Sequence, residues 1–448
     1  TERNMAETAL ATPPETKMDR GRTMSAAAEA TRNLIVDPAI YADPDQLDAA
    51  FRKLRAEDPV AWCEPEGYRP FWALTKHADI MEVSRQNKLF TNGEREMLSY
   101  EDAEKGVYAQ MGGPHLLKTL VQLDDPLHFK LRHLTQEWFM PQNVKKREDA
   151  IRQIAKKYVD RMEDLGGECD FQRDVALYYP LRVIMQILGV PESDEPMMLK
   201  LTQEIFGAQD EDLMRDKTLA EQQDVEKGLA SINETLAEFF MYFTGITADR
   251  RAHPKDDVST VIANGMVDGE PIGQLEAMSY YIIVAAAGHD TTSASTGGGV
   301  LGMLQNPSEL KKMMDDPKAV SRTATDEAIR WTTPVKQFMR TAQEDYELRG
   351  RKILKGESLL LCYPSGNRDE DVFDDPYTFD ISRSPNKLIS FGHGGHMCLG
   401  MHLARLEMQA IYEELFSRLK SIELAGDPTF IKANFVGGPK SIPVRYKF

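Results

Sequence analysis

The spacing of apolar and polar positions changes several times along the chain, and each change marks an element. Phe51 to Ala56 closes a helix; Val60-Ala61-Trp62 and Tyr68 to Thr75 then alternate with the period of two that predicts a hairpin. His77 to Gln86 returns to a helical period and stops near Asn87. Thr91 to Leu120 has no strong period and holds Gly112-Gly113-Pro114, which predicts a long loop with short helical pieces. Asp124-Asp125-Pro126 predicts a helix start, with a capping aspartate and a proline in the first turn. Val144 to Met162, Tyr178 to Leu188, Leu199 to Ala208 and Leu229 to Ala248 read as helices, the last two joined by a charged stretch. Ile272 to about Asn306 reads as one very long helix, stopped by Pro307. Leu310 to Met314 and Ser321 to Trp331 continue helically, Tyr346 to Leu361 alternates like strands, and Asn367 to Arg383 is a loop rich in Asp and Pro. A last helix runs to about Leu419, before strand-like ends through Pro443-Val444-Arg445.

Composition narrows the class. The chain has 448 residues, 42% hydrophobic and 28% charged, an ordinary globular balance with ample length for a large core. Length alone suggests two or three domains. The net charge of −17 argues against a nucleic-acid partner. Cys63, Cys169, Cys362 and Cys398 form no C-x-x-C pair, so neither a zinc site nor a disulfide framework is expected, and a reducing cytoplasm fits. Thr1 to about Thr31 is polar and reads as a loose tail, with no signal peptide or membrane anchor expected. The most apolar run, Tyr280 to Ala287, is too short to span a bilayer.

The stretch Phe391-Gly392-His393-Gly394-Gly395-His396-Met397-Cys398-Leu399-Gly400 carries the chemistry. Its glycines let the backbone turn tightly against a flat object, and the N–H groups opening the next helix favour a sulfur anion. The pattern Phe-Gly-x-Gly-x-His-x-Cys-x-Gly resembles the haem-ligand loop of the cytochromes P-450. The resemblance covers the chain from about Asp37. It implies one mainly α fold with a minor β region: a flexible tail over 1–36 and a single haem domain over 37–448. It implies haem b as cofactor, Cys398 as the axial ligand of its iron, and Phe391, Gly392, Gly400 and Ala287 as residues against it. The region 91–120 would cover the substrate pocket, with the two helices after Leu199 as a lid.

Further motifs match. In Ala287-Gly288-His289-Asp290-Thr291-Thr292 an acid stands beside a hydroxyl in mid-helix, where threonine can divert a backbone hydrogen bond and open the helix. The resemblance implies that Thr291 hydrogen-bonds dioxygen or its waters and that Asp290 relays protons; His289 reads as structural. His128 and Arg132 lie four apart on one helical face, and the resemblance gives them, with Arg340 and His396, to the haem propionates. Glu327 and Arg330 share a helical face, and Arg383 could complete a buried charged triad, which the resemblance assigns to folding and haem retention. Val335, Phe338, Phe435 and Val436 are expected at the substrate pocket.

The implied reaction inserts one atom of dioxygen into a C–H bond of a small hydrophobic substrate. The motif wording is similar to the bacterial terpineol-oxidising branch, which suggests a monoterpene or alkylated aromatic. Electrons are expected from a separate ferredoxin or flavoprotein, because no reductase domain follows Phe448, with Lys130, Arg132, Lys387 and Arg405 as candidate docking contacts. The competing readings are a larger substrate (a fatty acid or steroid), a peroxide-driven relative, which would lack the acid–threonine pair present here, a nitric-oxide reductase, and a non-enzymatic haem carrier or gas sensor.

Overall fold

The computed structural model describes residues 26–206, 209–215 and 225–448. The site is positioned by six of its helices: Leu127–Gln136 (α1), Glu148–Asp164 (α2), Gln274–Ala287 (α3), Asp290–Gln305 (α4), Pro317–Thr332 (α5) and Met401–Arg418 (α6). The main sheet has the order β1 (Val60–Cys63), β2 (Phe71–Leu74), β5 (Ser358–Cys362), β4 (Gln337–Ala342), β3 (Phe90–Thr91). Only β2 and β5 pair in parallel, Ser358 opposite Phe71. The fold is mainly helical with this minor β region.

α3 and α4 are apolar or small on every side and run through the core, as a helix without a solvated face must. A Cβ on Gly297, Gly298 or Gly299 would lie 1.8 Å from Gln172 Oε1, 2.0 Å from Thr332 Oγ1 or 2.2 Å from the Tyr412 hydroxyl. The glycine run is therefore where α4 meets α5 and α6 at backbone distance. The single long helix expected over Ile272–Asn306 is instead two, broken at Gly288–His289. The break falls at the acid–threonine motif: the Thr291 hydroxyl donates to the Ala287 carbonyl, 3.1 Å away.

Other expectations shift in detail. The loop over 91–120 contains the helix Glu101–Met111, started by three acidic residues in its first turn and ended by Gly112 at φ 67°. Asp124 does not cap α1; its carboxylate accepts from the Asn92 and Gly93 amides, 2.8 Å each, and pins that loop. Of the tail expected over 1–36, the part before residue 26 lies outside the described residues, whereas Ala26–Leu34 is helical and Ile35 and Val36 are buried. Helices span Glu195–Phe206 and Val225–Ala252; Ala208 and most of their connection lie outside the described residues.

Glu327 and Arg330 are both completely buried and joined by two parallel bonds, Arg330 Nη2 to Glu327 Oε1 at 2.7 Å and Nε to Oε2 at 2.8 Å. Arg383 Nε lies 3.2 Å from Glu327 Oε2, and the Asp380 amide and Asn386 Nδ2 donate to the same carboxylate. Arg330 also donates to the carbonyls of Asn367 and Pro376, both 2.9 Å. Glu327→Ala leaves Arg330 buried and uncompensated, so it should lower unfolding free energy by about 3–5 kcal/mol. Denaturant titration of the folded protein checks this; a loss below about 1 kcal/mol contradicts it.

Candidate active site

A cavity of about 350 Å³ lies between α1, α3, α4, β4 and the cysteine loop. Its wall is mostly apolar, with Leu117, Leu120, Ile184, Ile282 and Ala286 among the lining residues. The cysteine loop enters against the end of helix His77–Arg85: a Cβ on Gly394, at φ 73°, would fall 2.1 Å from the Ser84 carbonyl. Gly392 also sits at positive φ, 68°. The Cys398 amide donates to the Phe391 carbonyl at 2.8 Å, closing the loop into a tight turn that faces Cys398 into the cavity. Burial raises the Cys398 thiol pKa, opposed by the Gly400 N–H and by Arg132 and Arg405. The Arg405 guanidinium lies 4.7 Å over the Phe391 ring. Gly400 and Ala287 also line the cavity.

Four basic groups converge on the same cavity. The His128 and His396 rings stack with centroids 4.0 Å apart. His128 Nε2 is buried without a hydrogen-bond partner. Arg132 donates to the Met397 carbonyl at 2.7 Å, and Arg340, 4% exposed, donates to the carbonyl of its neighbour Met339. Burial lowers the pKa of all four. His396 falls to about 2, through burial first and then the charges of Arg340, His128 and Arg132. His128 Nδ1 lies 3.4 Å from Asp125 Oδ1, whereas the guanidiniums of Arg132 and Arg340 meet only carbonyls, which leaves room for an anionic partner. A mostly apolar cavity with a cysteine on its wall and Arg and His groups at one side fits an iron porphyrin bearing carboxylates.

Across from the loop, Asp290 and Thr291 stand at the start of α4. His289 Nε2 lies 3.1 Å from Asp290 Oδ1, while Asp290 Oδ2 is buried without a partner. His289 is fully buried, near Thr202 and the Ala285 carbonyl, and does not line the cavity. Gly288 is required by packing, since a Cβ there would lie 2.5 Å from Ile184 Cγ1. Val335 and Val436 form an isolated β-bridge, and the Phe338 and Phe435 rings meet edge-on at 5.4 Å. All four line the cavity.

These features find counterparts among known proteins. A sequence model of the family Cytochrome P450 matches residues 88–442. The chain is 47% identical over 414 residues, 92% of its length and 96% of the relative's, to Cytochrome P450-terp from a Pseudomonas species. The chain belongs to the cytochrome P450 family. Its backbone is similar to the crystal structure of CYP108D1 from Novosphingobium aromaticivorans, with a TM-score of 0.85 at 43% identity over 94% of this chain and 98% of that one. It is also similar to Mycobacterium marinum CYP268A2 in complex with pseudoionone, with a TM-score of 0.82 at 31% identity over 95% and 98%. Proteins of this family are haem-dependent monooxygenases that use dioxygen and a redox partner. Among the described residues no helix is long and apolar enough to cross a membrane.

The structure gathers on this cavity the residues expected around the cofactor together with Thr291, leaves Asp290 off its lining, and separates the expected docking cations. Lys130 is bound to Asp268 at 2.6 Å, Arg405 to Asp326 at 2.7 Å, and Arg132 faces the cavity; Lys387 is exposed with no carboxylate partner among the described residues. Sequence reasoning missed Glu407, which also lines the cavity. Its signal was a carboxylate midway between Leu403 and Ile411, on the buried stripe of α6.

The His396 shift fixes a pH dependence for the haem-free chain. The unfolded imidazole takes up a proton below about pH 6.5, the folded one does not, so stability falls with decreasing pH by up to about 1.4 kcal/mol per pH unit. Urea unfolding from pH 7.5 to 5 of the parent and His396→Gln should show the steeper loss in the parent. Equal slopes contradict it.

Proposed function

We propose that this protein hydroxylates a small, compact apolar substrate of the monoterpene or alkyl-aromatic class, with dioxygen and electrons from a separate ferredoxin-type donor. The observation that carries the reading is one apolar cavity onto which Cys398, Thr291 and the basic group all open. The relative named P450-terp and the pseudoionone-bound neighbour support the substrate class. Each turnover consumes one dioxygen, two electrons and two protons, and yields hydroxylated product and water.

Cys398 would hold the haem iron; His128, Arg132, Arg340 and His396 would hold its propionates; Phe391, Gly392, Gly400 and Ala287 would border it. A thiolate-ligated haem supplies the redox chemistry and favours O–O cleavage. The protein supplies proton delivery, a dry pocket and positioning. Asp290 takes a proton at its unpartnered Oδ2 and passes it toward Thr291. Because the Thr291 hydroxyl hydrogen is held by the Ala287 carbonyl, its oxygen lone pairs accept from a ligand or water. Val335, Phe338, Phe435 and Val436 hold the substrate and exclude water. Glu327, Arg330 and Arg383 keep the loop before the cysteine in shape and so retain the haem. The four cysteines are unpaired, which supports residence in a reducing cytoplasm.

The donor docks on the face beside the cysteine loop. Lys387 is the strongest of the four basic candidates, since Lys130 and Arg405 already have carboxylates and Arg132 points inward.

A spectral titration of the haem-loaded protein tests the substrate class. Monoterpenes or alkylbenzenes should convert low-spin to high-spin iron at concentrations at least about ten-fold below fatty acids or steroids, and Lys387→Glu should slow reduction by a ferredoxin. A steroid or fatty acid binding more tightly than every terpene contradicts the substrate class; unchanged reduction by the Lys387 variant contradicts the docking face.

A further inference from the structure

The loop after β3 brings to the cavity a set of polar groups that the chemistry described above does not use. Asn92, Glu96, Thr119 and Gln122 all line the cavity, together with the apolar Met97 and Leu117. The Glu96 main-chain carbonyl accepts from the Met339 amide at 2.7 Å, which sets the loop against β4. Glu96 is 7% exposed. Among the described residues its one ion pair is with His115, whose Nδ1 lies 3.1 Å from Glu96 Oε2.

Donors and acceptors on this edge do not balance. Asn92 Nδ2 donates to the Val121 carbonyl at 2.9 Å. Thr119 Oγ1 donates to Gln122 Oε1 at 2.9 Å, and Gln122 Nε2 donates to Glu96 Oε1 at 2.8 Å. His115 Nε2 faces the Gly93 carbonyl at 3.0 Å, an oxygen that can only accept, so this nitrogen carries a hydrogen. The hydrogen between His115 Nδ1 and Glu96 is spent on their own contact, whichever of the two carries it. Every donor atom of the set is therefore bonded inside the protein. Acceptors are left over. Asn92 is 2% exposed and its Oδ1 is buried without a partner. A carboxylate has about four lone-pair sites, and the Glu96 oxygens use one each. Buried acceptors left open cost stability, and a ligand that donates to them recovers it.

We propose that Glu96 is a specificity-determining residue of this cavity, selecting compact apolar molecules that bear a hydroxyl, which donates to its carboxylate. The proposal rests on the substrate reading above and narrows it. An ether, ketone or ester brings only acceptors to an edge that already has a surplus, and a carboxylate brings like charge. A hydroxyl held at Glu96 also fixes the direction in which the rest of the molecule lies along the apolar wall.

The test uses the haem-loaded full chain and three compounds on one para-isopropylphenyl skeleton: cuminyl alcohol, its methyl ether and cuminate. Dissociation constants are read from the low-spin to high-spin shift. In the parent the alcohol should bind about ten-fold tighter than the ether, the size of one hydrogen bond to a charged acceptor, and cuminate should bind weakest. In Glu96→Leu the alcohol-to-ether ratio should fall to about two-fold or less. Both compounds are read in the same protein, so a general change in the pocket cancels from the ratio. Glu96→Gln keeps the shape and adds a donor, so it should narrow the ratio and relieve the exclusion of cuminate. The proposal is overturned if the parent binds alcohol and ether equally, or if both variants keep the parent's ratio. The same comparison on a steroid alcohol and its methyl ether separates this role from the reading it rests on. A steroid pair binding more tightly than the compact pair, with the ratio intact, overturns the substrate class and supports the role of Glu96.

Discussion

The buried pair of Glu327 and Arg330 is the constraint from which the geometry of the active site follows. Two charges at 0% exposure are costly to desolvate, and they persist because every arm of the guanidinium and both carboxylate oxygens are bonded. Those bonds are not local. They run to the carbonyls of Asn367, Pro376 and Thr378 and to the amide of Asp380, so the pair sets the path of the loop that follows β5. Asn367 passes the constraint on: its side chain accepts from the Ile389 amide and donates to Ser390 Oγ, 2.8 Å each. The next residue is Phe391, whose carbonyl holds the Cys398 amide. The position of the sulfur is thus fixed by a charged network more than sixty residues upstream.

The cavity has two electrostatic features of opposite kind. Around Arg132 and Arg340 it holds guanidiniums that meet only carbonyls, beside the stacked His128 and His396 rings, which favours an anionic ligand there. Glu407, on the same wall, has both carboxyl oxygens buried without a hydrogen-bond partner. Between them the wall is apolar, which keeps water scarce and every polar interaction strong.

Much of this was legible in the chain. The cysteine loop has six fixed positions at fixed spacing, and two of its glycines answer a local demand: positive φ at Gly392 and Gly394, with Ser84 in close approach to Gly394. The Glu327–Arg330 spacing placed both on one helical face, although burial could come only from the loop that folds over them. What stayed hidden depended on tertiary contact. The full break at Gly288–His289 goes beyond the local opening that Thr291 suggested, and the packing of Ile184 against Gly288 is invisible to periodicity. Asp124 had the sequence of a cap but meets two amides of a distant loop. Lys130 and Arg405 read as available cations until the fold supplied Asp268 and Asp326. Glu407 was passed over because a carboxylate on a helix is ordinarily solvated, and only burial reveals the exception.

The account stands on Cys398 binding iron as a thiolate. The direct measurement is the absorption spectrum of the reduced, carbon monoxide-treated protein, parent beside Cys398→Ser. The parent should show the red-shifted Soret band of a thiolate-ligated haem, and the serine variant should lose it while remaining folded. A folded, haem-loaded parent without that band, or a serine variant that keeps it, contradicts the account.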